Sequence, residues 1–370
     1  MRITIATQEF AKALYRVQGI ADKKSTMPVL AHVLLKAQSG VGLTVSATDL
    51  DVGVEGTYSA DVETDGSVSV HAKQLFEIIK SLTSDSLTLE VQENYWIEVR
   101  SGASRFRLVG MNAEEFPALP DPGDVQTFKV PSDALIQMID RTLFCVSTDD
   151  NRHNLSGVYC ESTENGLLRM VATDGHRLAL SEHQFECDIP LQEGVIVPRK
   201  GFQELKRILS DSDGVTEVEL GFSGRNGVLK TGSATLSTRL VEGRFPDYQQ
   251  VIPSSSNKTL KVSKARFAEA LKRVSLLSQG RAWGVRLGLT TDTLDLVAED
   301  PEFGDAHESL PIDYQSEDLT IGFNARYLLD VLQLIKDETV TLMLTDELSP
   351  GIIRPLEEQG FLAVVMPVRI

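Results

Sequence analysis

Three stretches of this 370-residue chain begin alike, and self-similarity at a long interval restricts a fold more tightly than any local motif. Arg2–Ile5 (RITI), Thr127–Val130 (TFKV) and Thr259–Val262 (TLKV) each alternate as a short strand does. Each leads into a segment with apolar residues at i, i+3 and i+4, the spacing of one helix face. The first of these ends near Gly19, the second spans Ser132–Phe144 and the third Ser263–Leu277. Ser132 and Ser263 stand where an N-cap belongs. Downstream, Leu43–Asp49 (LTVSATD) resembles Leu168–Asp174 (LRMVATD), with a weaker third copy at Leu294–Asp300 (LDLVAED). A second helical pattern follows in each repeat, at Ala72–Leu82, Arg199–Leu209 and Asn324–Ile335. Strand-rich stretches close the repeats at Leu87–Val109, Val215–Val241 and Val340–Arg369.

Turn-rich, proline-bearing stretches at Phe116–Gly123 and Ile252–Asn257 separate the repeats, which predicts domains over 1–122, 123–253 and 254–370. Each domain holds two helices and roughly eight strands, an α+β class whose core forms where the helices lie on sheet. The helices then share one face. Joined head to tail along a curve, three such domains place all their helices inside and their antiparallel sheets outside. A heterologous contact of this kind closes into a ring when the rotation fits. Two chains bring twelve helices, and at a spacing of ~9 Å their axes trace a circle ~34 Å across. Subtracting a helix diameter of ~10 Å leaves ~25 Å, enough for a duplex of roughly 20 Å.

Charge bears on what such an opening could hold. The net charge is −17, and nucleic-acid binders usually carry a basic footprint. The basic residues nevertheless collect on the helical segments. Arg199, Lys200, Lys206 and Arg207 share one with the single acid Glu204, and Lys264, Arg266, Lys272, Arg273 and Arg281 share another with Glu269. Lys12, Arg16, Lys73, Lys80, Arg141, Arg326 and Lys336 lie on or beside the rest, while acids gather at Glu161–Glu164, Asp211–Asp213 and Glu347–Glu358. A basic inner face on an acidic body suits sequence-independent, salt-sensitive contact with phosphates. The alternative is that these bases only solvate outer helix faces. Aromatic residues are 6% of the chain and do not interleave with bases, so stacking on single-stranded bases is not suggested.

Catalytic signatures are missing. There is no P-loop, HExxH, GxSxG or GxGxxG, and Gly224–Thr231 lacks the Gly-Lys-Ser/Thr ending. Cys145, Cys160 and Cys187 form neither a disulfide framework nor a zinc pattern, and the six histidines are scattered. A scaffold without cofactor or metal is expected. No apolar run approaches the ~20 residues of a membrane span. The first ten residues alternate like a strand and carry no signal-peptide core, which predicts a cytoplasmic protein.

Two local features remain. In Val171–Leu178 (VATDGHRL) alone, the acidic turn continues as Gly-His-Arg; its simplest reading is a tight turn with Gly175 at positive φ. Ala363–Ile370 is an apolar strand interrupted by Pro367, which reads as an edge strand. Met366 beside the proline also suits an adaptable apolar pocket.

Over essentially its whole length the sequence resembles the bacterial replicative DNA sliding clamps. The resemblance rests on Ala47–Leu50 (ATDL), Ser101–Phe106 (SGASRF), Phe116-Pro117, Val171–Leu178, Val197–Gly201 (VPRKG), Gly243–Tyr248 (GRFPDY), Gly284–Leu287 (GVRL), Gly322–Asn324 (GFN) and Val365–Pro367 (VMP). It implies a homodimeric head-to-tail ring around duplex DNA that tethers the replicative polymerase and confers processivity, with no chemistry of its own. A separate loader would open the ring. The resemblance also implies a pocket for short linear motifs of the polymerase, the loader and other clients. That pocket would be built from Leu155, Thr173, Gly175, His176, Arg177, Leu178, Pro246, Val251, Leu348, Val364, Met366, Pro367, Val368 and Arg369. Lys24, Lys73, Arg199 and Lys200 would approach DNA, and Arg105, Phe106 and Leu108 would meet Leu276 and Leu277 of a second copy. Gln250, His153 and Asn154 depart from residues found in some relatives, and Arg354–Gly360 reads as a longer hairpin loop. Two other classes remain to be set against this one. A hydrolytic enzyme would show a deep acidic cleft, and an open monomeric scaffold would show a monomer's mass in solution.

Overall fold

The computed structural model describes every residue except 22–26, 122, 124, 150, 165, 211–214, 233, 279–282 and 370. Six α-helices carry the two helical segments of each repeat: α1 Thr7–Gln18, α2 Ala72–Ser81, α3 Ser132–Leu143, α4 Arg199–Ser210, α5 Lys264–Val274 and α6 Ala325–Leu334. None is long and apolar enough to cross a membrane. Their apolar spacing explains their packing. Phe10, Ala13, Leu14 and Val17 line the buried face of α1, and Phe202, Leu205, Ile208 and Leu209 line that of α4. Each fully buried side chain of this size contributes about 1.5–3 kcal/mol.

The helix starts differ from the sequence expectation. Ser263 occupies the N-cap position of α5 but makes no side-chain cap bond. Ser132 lies within α3, and its hydroxyl donates instead to the Val215 carbonyl at 2.7 Å. The side-chain caps come from His71 on α2 and Asn324 on α6, which accept from backbone N–H groups of the first turn.

The described residues form two compact units. One comprises 1–135, 187–191 and 197–241, the other 136–186, 192–196 and 242–370. In the first, thirteen antiparallel strands make one sheet. Within it, Ala234–Arg239 pairs with Val52–Tyr58, in the register Thr238↔Val52. In the second unit, a sheet runs in the order Gly157–Ser162, Leu167–Thr173, Arg177–Gln184, Phe361–Val365, Gly351–Pro355, Thr339–Leu344, Lys258–Ser263. A separate four-stranded sheet has the order Gly304–Pro311, Thr293–Asp300, Gly284–Thr290, Leu319–Asn324.

Phe361–Val365 is an internal strand. It pairs with Arg177–Gln184 on one side and Gly351–Pro355 on the other, so the edge reading of the C-terminal strand does not hold. The proline rule is still obeyed, because Pro367 follows the last paired residue and leaves no ladder donor missing. Residues 356–360 join two paired strands, as a hairpin loop does. Glu358 ties that loop to α3, pairing with Arg141 and accepting from Gln137 Nε2 at 3.1 Å. Arg141 is thereby buried and is not one of the open bases that the helical charge pattern suggests.

Candidate functional site

The acidic turn is built three times with one geometry. Asp49 Oδ1 accepts from the N–H groups of Asp51 (3.0 Å) and Val52 (2.7 Å). Asp174 Oδ1 accepts from His176 (2.9 Å) and Arg177 (3.0 Å), and Asp300 Oδ1 from Glu302 (2.9 Å) and Phe303 (3.2 Å). The preceding threonine closes the first two turns, Thr48 donating to the Val52 carbonyl and Thr173 to the Arg177 carbonyl. These are Asx turns, in which a short carboxylate side chain substitutes for backbone acceptors. Gly175 sits at φ 87°, as the sequence requires, and Leu50 takes the same place in the first copy at φ 84°.

The surroundings of the second copy set it apart. The Arg177 guanidinium donates to Asp174 Oδ2 (3.1 Å), Asp330 Oδ2 (2.5 Å) and the Phe144 carbonyl (3.0 Å). It also lies over the Tyr327 ring at 4.4 Å and the Phe144 ring at 5.1 Å. Burial opposes its charge, but the Asp330 bond and the nearby acids outweigh that and raise its pKa further. Burial, then the Asp174 carboxylate, keeps the Tyr327 phenol protonated. His176 is exposed, and its ring stacks on that of Tyr327 with centroids 6.4 Å apart.

The C-terminal segment is anchored beside this turn. The Met366 N–H donates to the His176 carbonyl and the Val368 N–H to the Gly322 carbonyl, each at 2.9 Å. Leu178 faces Val364 across the ladder, and both are buried. Leu155 is buried in a 3-10 turn, His153–Leu155, linked to the acidic turn through Arg152, which donates to the Asp174 carbonyl. Asn154 donates to the Arg244 carbonyl, so the same turn also braces the GRFPDY segment. There Phe245 stacks on Tyr159 at 4.9 Å, and Tyr248 donates to Glu161 at 2.5 Å. Pro246 is left exposed between these two anchors. Burial first, then the Glu161 charge, pushes the Tyr159 phenol up to about 12.

The second unit thus brings Leu155, Thr173, Gly175, His176, Arg177, Leu178, Val364, Met366 and Pro367 together around the acidic turn. Val251 (39% exposed) and Leu348 (63% exposed) sit in separate loops. Val368 and Arg369 line a cleft of about 610 Å³ with Glu299, Asp300 and Gly304. Gln250 is held by Asp247 at 2.8 Å. Sequence reading misses Phe144, Tyr327 and Asp330, although Tyr327 and Asp330 share one helix face three residues apart.

Among the described residues, the first copy has different surroundings. Gly53 stands where Leu178 stands in the second, and a Cβ there would lie 2.9 Å from Pro120 Cδ and 3.1 Å from Leu119 Cγ. The chain's own Leu119 and Pro120 fill the space.

Among the bases expected near DNA, Lys24 lies outside the described residues. Lys73 is exposed near the start of α2, and Arg199 is partly exposed at the start of α4. Lys200 is engaged internally, 2.5 Å from Asp49 Oδ2 and 3.2 Å from the Ile20 carbonyl.

Two of the strands with an open edge among the described residues carry or adjoin the residues expected at a subunit contact. Ser104–Met111 is paired along Trp96–Ser101 but meets Gly66–His71 only at Gly110 and Met111, leaving Arg105, Phe106 and Leu108 beside an open edge. Gly304–Pro311 ends its sheet. The turn Ser275–Leu277 packs on that strand and carries Leu277 and Leu276, the latter 65% exposed. The two strands alternate in exposure almost residue for residue. One carries Arg107 and Arg105, the latter paired with Glu98; the other carries Asp305 and Glu308, the latter paired with Arg273.

Models of the DNA polymerase III beta subunit match the chain in three consecutive parts: its N-terminal domain over residues 1–120, central domain over 129–247 and C-terminal domain over 249–369. The chain belongs to the DNA polymerase III β subunit family, the DNA sliding clamps. Three clamp domains therefore account for its threefold repeat. The beta sliding clamps of Pseudomonas aeruginosa and Haemophilus influenzae are 36% and 35% identical to it, each over 100% of both chains. Among solved structures, the sliding clamp of Bartonella birtlesii, bound to griselimycin, superposes with a TM-score of 0.95 at 35% identity over 100% of both chains. The β subunit of Thermotoga maritima gives 0.94 at 29% identity over 100% of this chain and 99% of its own.

Proposed function

We propose that two copies of this clamp close head to tail into a non-catalytic ring around duplex DNA and so hold DNA polymerase III on its template. The domains would span 1–122, 123–253 and 254–370. One observation carries the reading. The first acidic turn docks on α4 through Asp49 and Lys200, and the second docks on α6 through Arg177 and Asp330. Each turn thus meets the second helix of the following repeat. For the third turn, no ion pair engages Asp300 among the described residues, and none engages Lys73. Lys73 stands at the place in α2 that Lys200 holds in α4, each the second residue of its helix. A second copy supplies the missing partner. The open strand edges fit the same contact, since unpaired edges are templates for another chain and these two carry opposite charge.

Exposed bases on the helices, Arg199 among them, would contact phosphates without reading sequence. Cys145 and Cys160 are buried, and burial raises both thiols, so neither supplies a thiolate nucleophile at neutral pH. The apolar site around His176 and Met366 would take short linear motifs of the polymerase and other clients, with side-chain anchors filling it. A cytoplasmic setting follows from that partnership. The test is topological. Protein loaded on nicked circular DNA stays bound through a salt wash and leaves when the DNA is linearised. Equal retention on both forms overturns the ring.

A further inference from the structure

We propose that His71 makes closure of the ring pH-sensitive: its neutral imidazole caps α2, and protonation removes the cap from the turn that presents Lys73. The inference rests on α2 being a contact with the second copy. His71 sits at the N-cap with φ −60° and ψ 115°, and its Nδ1 accepts from the Gln74 N–H at 3.4 Å. An imidazole accepts through Nδ1 only while neutral, because the imidazolium has two donors and no acceptor. Capping and protonation therefore exclude each other.

The neighbourhood sharpens the exclusion. His32 is the cross-strand partner of His71, its ring 6.0 Å away and edge-on. Burial, and then the charge of His71, holds the His32 pKa below its ordinary value. The elements packed around His71 carry Lys36, Glu77, Lys80, Arg105, Arg107, Glu114 and Glu115 as further charges. On the approaching copy the relevant groups are Asp300, Glu302 and His307. The cap and the contact are one surface, because His71, Lys73, Ile78 and Leu108 line the same shallow hollow of about 590 Å³. The third repeat shows what a cap that does not titrate looks like: Asn324 starts α6 by accepting from Arg326 and Tyr327.

The test compares the full chain with His71→Asn, which copies that cap. Sedimentation equilibrium would give the dissociation constant at about pH 7.5 and about pH 5.5, a window that spans histidine titration. The native chain should weaken about fivefold more than His71→Asn over this interval, equivalent to about 1 kcal/mol for a lost cap. The variant also subtracts any contribution from His307. In parallel, the Gln74 amide resonance should titrate in the native chain and stay fixed in His71→Asn. Equal pH responses in two dimeric proteins would overturn the switch. A native chain that is monomeric already at about pH 7.5 would overturn the ring reading itself.

Discussion

At the scale of single residues, Arg177 organises the second acidic turn. Its guanidinium has 12% of its side-chain surface exposed and spans acceptors on three segments, the farthest, Asp330, lying 153 residues away in sequence. Removing it leaves Asp330 and Asp174 without their cation and the Phe144 carbonyl without a donor. Arg177→Ala should cost about 3 kcal/mol in urea unfolding. Arg177→Lys should recover little, because one ammonium cannot reproduce a planar fork of donors. His176 and Met366 contrast with it, since both are exposed at the site surface and anchor nothing buried through their side chains. His176→Ala with Met366→Ala should leave stability within about 0.5 kcal/mol, as surface changes do. The same pair should weaken a client peptide at least about tenfold by fluorescence polarisation. Unchanged peptide affinity would remove the pocket assignment. The motif VATDGHRL marks this turn in sequence. Its partners Phe144, Tyr327 and Asp330 are invisible there, because no local pattern records which distant side chains a folded guanidinium will reach.

At the scale of elements, helix periodicity is legible and helix capping is not. The six helical segments stand within a few residues of where the apolar spacing puts them. The serines at two starts make no side-chain cap bond, while a histidine and an asparagine do the work. A cap requires a side chain with the correct rotamer facing a free N–H, and Ser132 spends its hydroxyl on the Val215 carbonyl instead. Asn324→Ala should therefore destabilise by about 1 kcal/mol, whereas Ser263→Ala should change stability by less than about 0.5 kcal/mol. Chemical denaturation would separate the two, and equal effects would contradict the capping assignment. The C-terminal strand teaches the same lesson. Pro367 signals an end to pairing, but whether a strand ends in the middle of a sheet or at its rim depends on neighbours far away in sequence.

For the whole molecule, the decisive quantity is where charge lies once the repeats are folded. Lys200 and Arg141 are committed to internal acids, while Lys73 and Arg199 keep exposed surface. Reversing Lys200 would thus set two carboxylates against each other inside the first unit, and Arg199→Glu is the cleaner probe of DNA contact. The turn-to-helix contact proposed for a second copy makes a sharper demand. Lys73→Asp and Asp300→Lys should each weaken self-association about five- to tenfold, and the double reversal should restore most of the loss, as coupled charge pairs do. Light scattering across a concentration series would read this. Additive losses in the double variant would separate Lys73 from Asp300.

The sequence by itself determined the architecture: three repeats, two helices in each, strands between them, and the Asx turn that opens alike every time. These follow from periodicity and short-range hydrogen bonding, which act between neighbours along the chain. It also carried enough specific motifs to mark the family. Only the tertiary structure decided what surrounds each turn. Leu119 and Pro120 fill the space beside Gly53 in the first copy, whereas in the second Arg177 reaches α6 and the C-terminal segment lies alongside. It also decided which bases remain open. Both outcomes depend on close packing and ion pairing between residues far apart in the chain, where equal local sequences meet unequal surroundings.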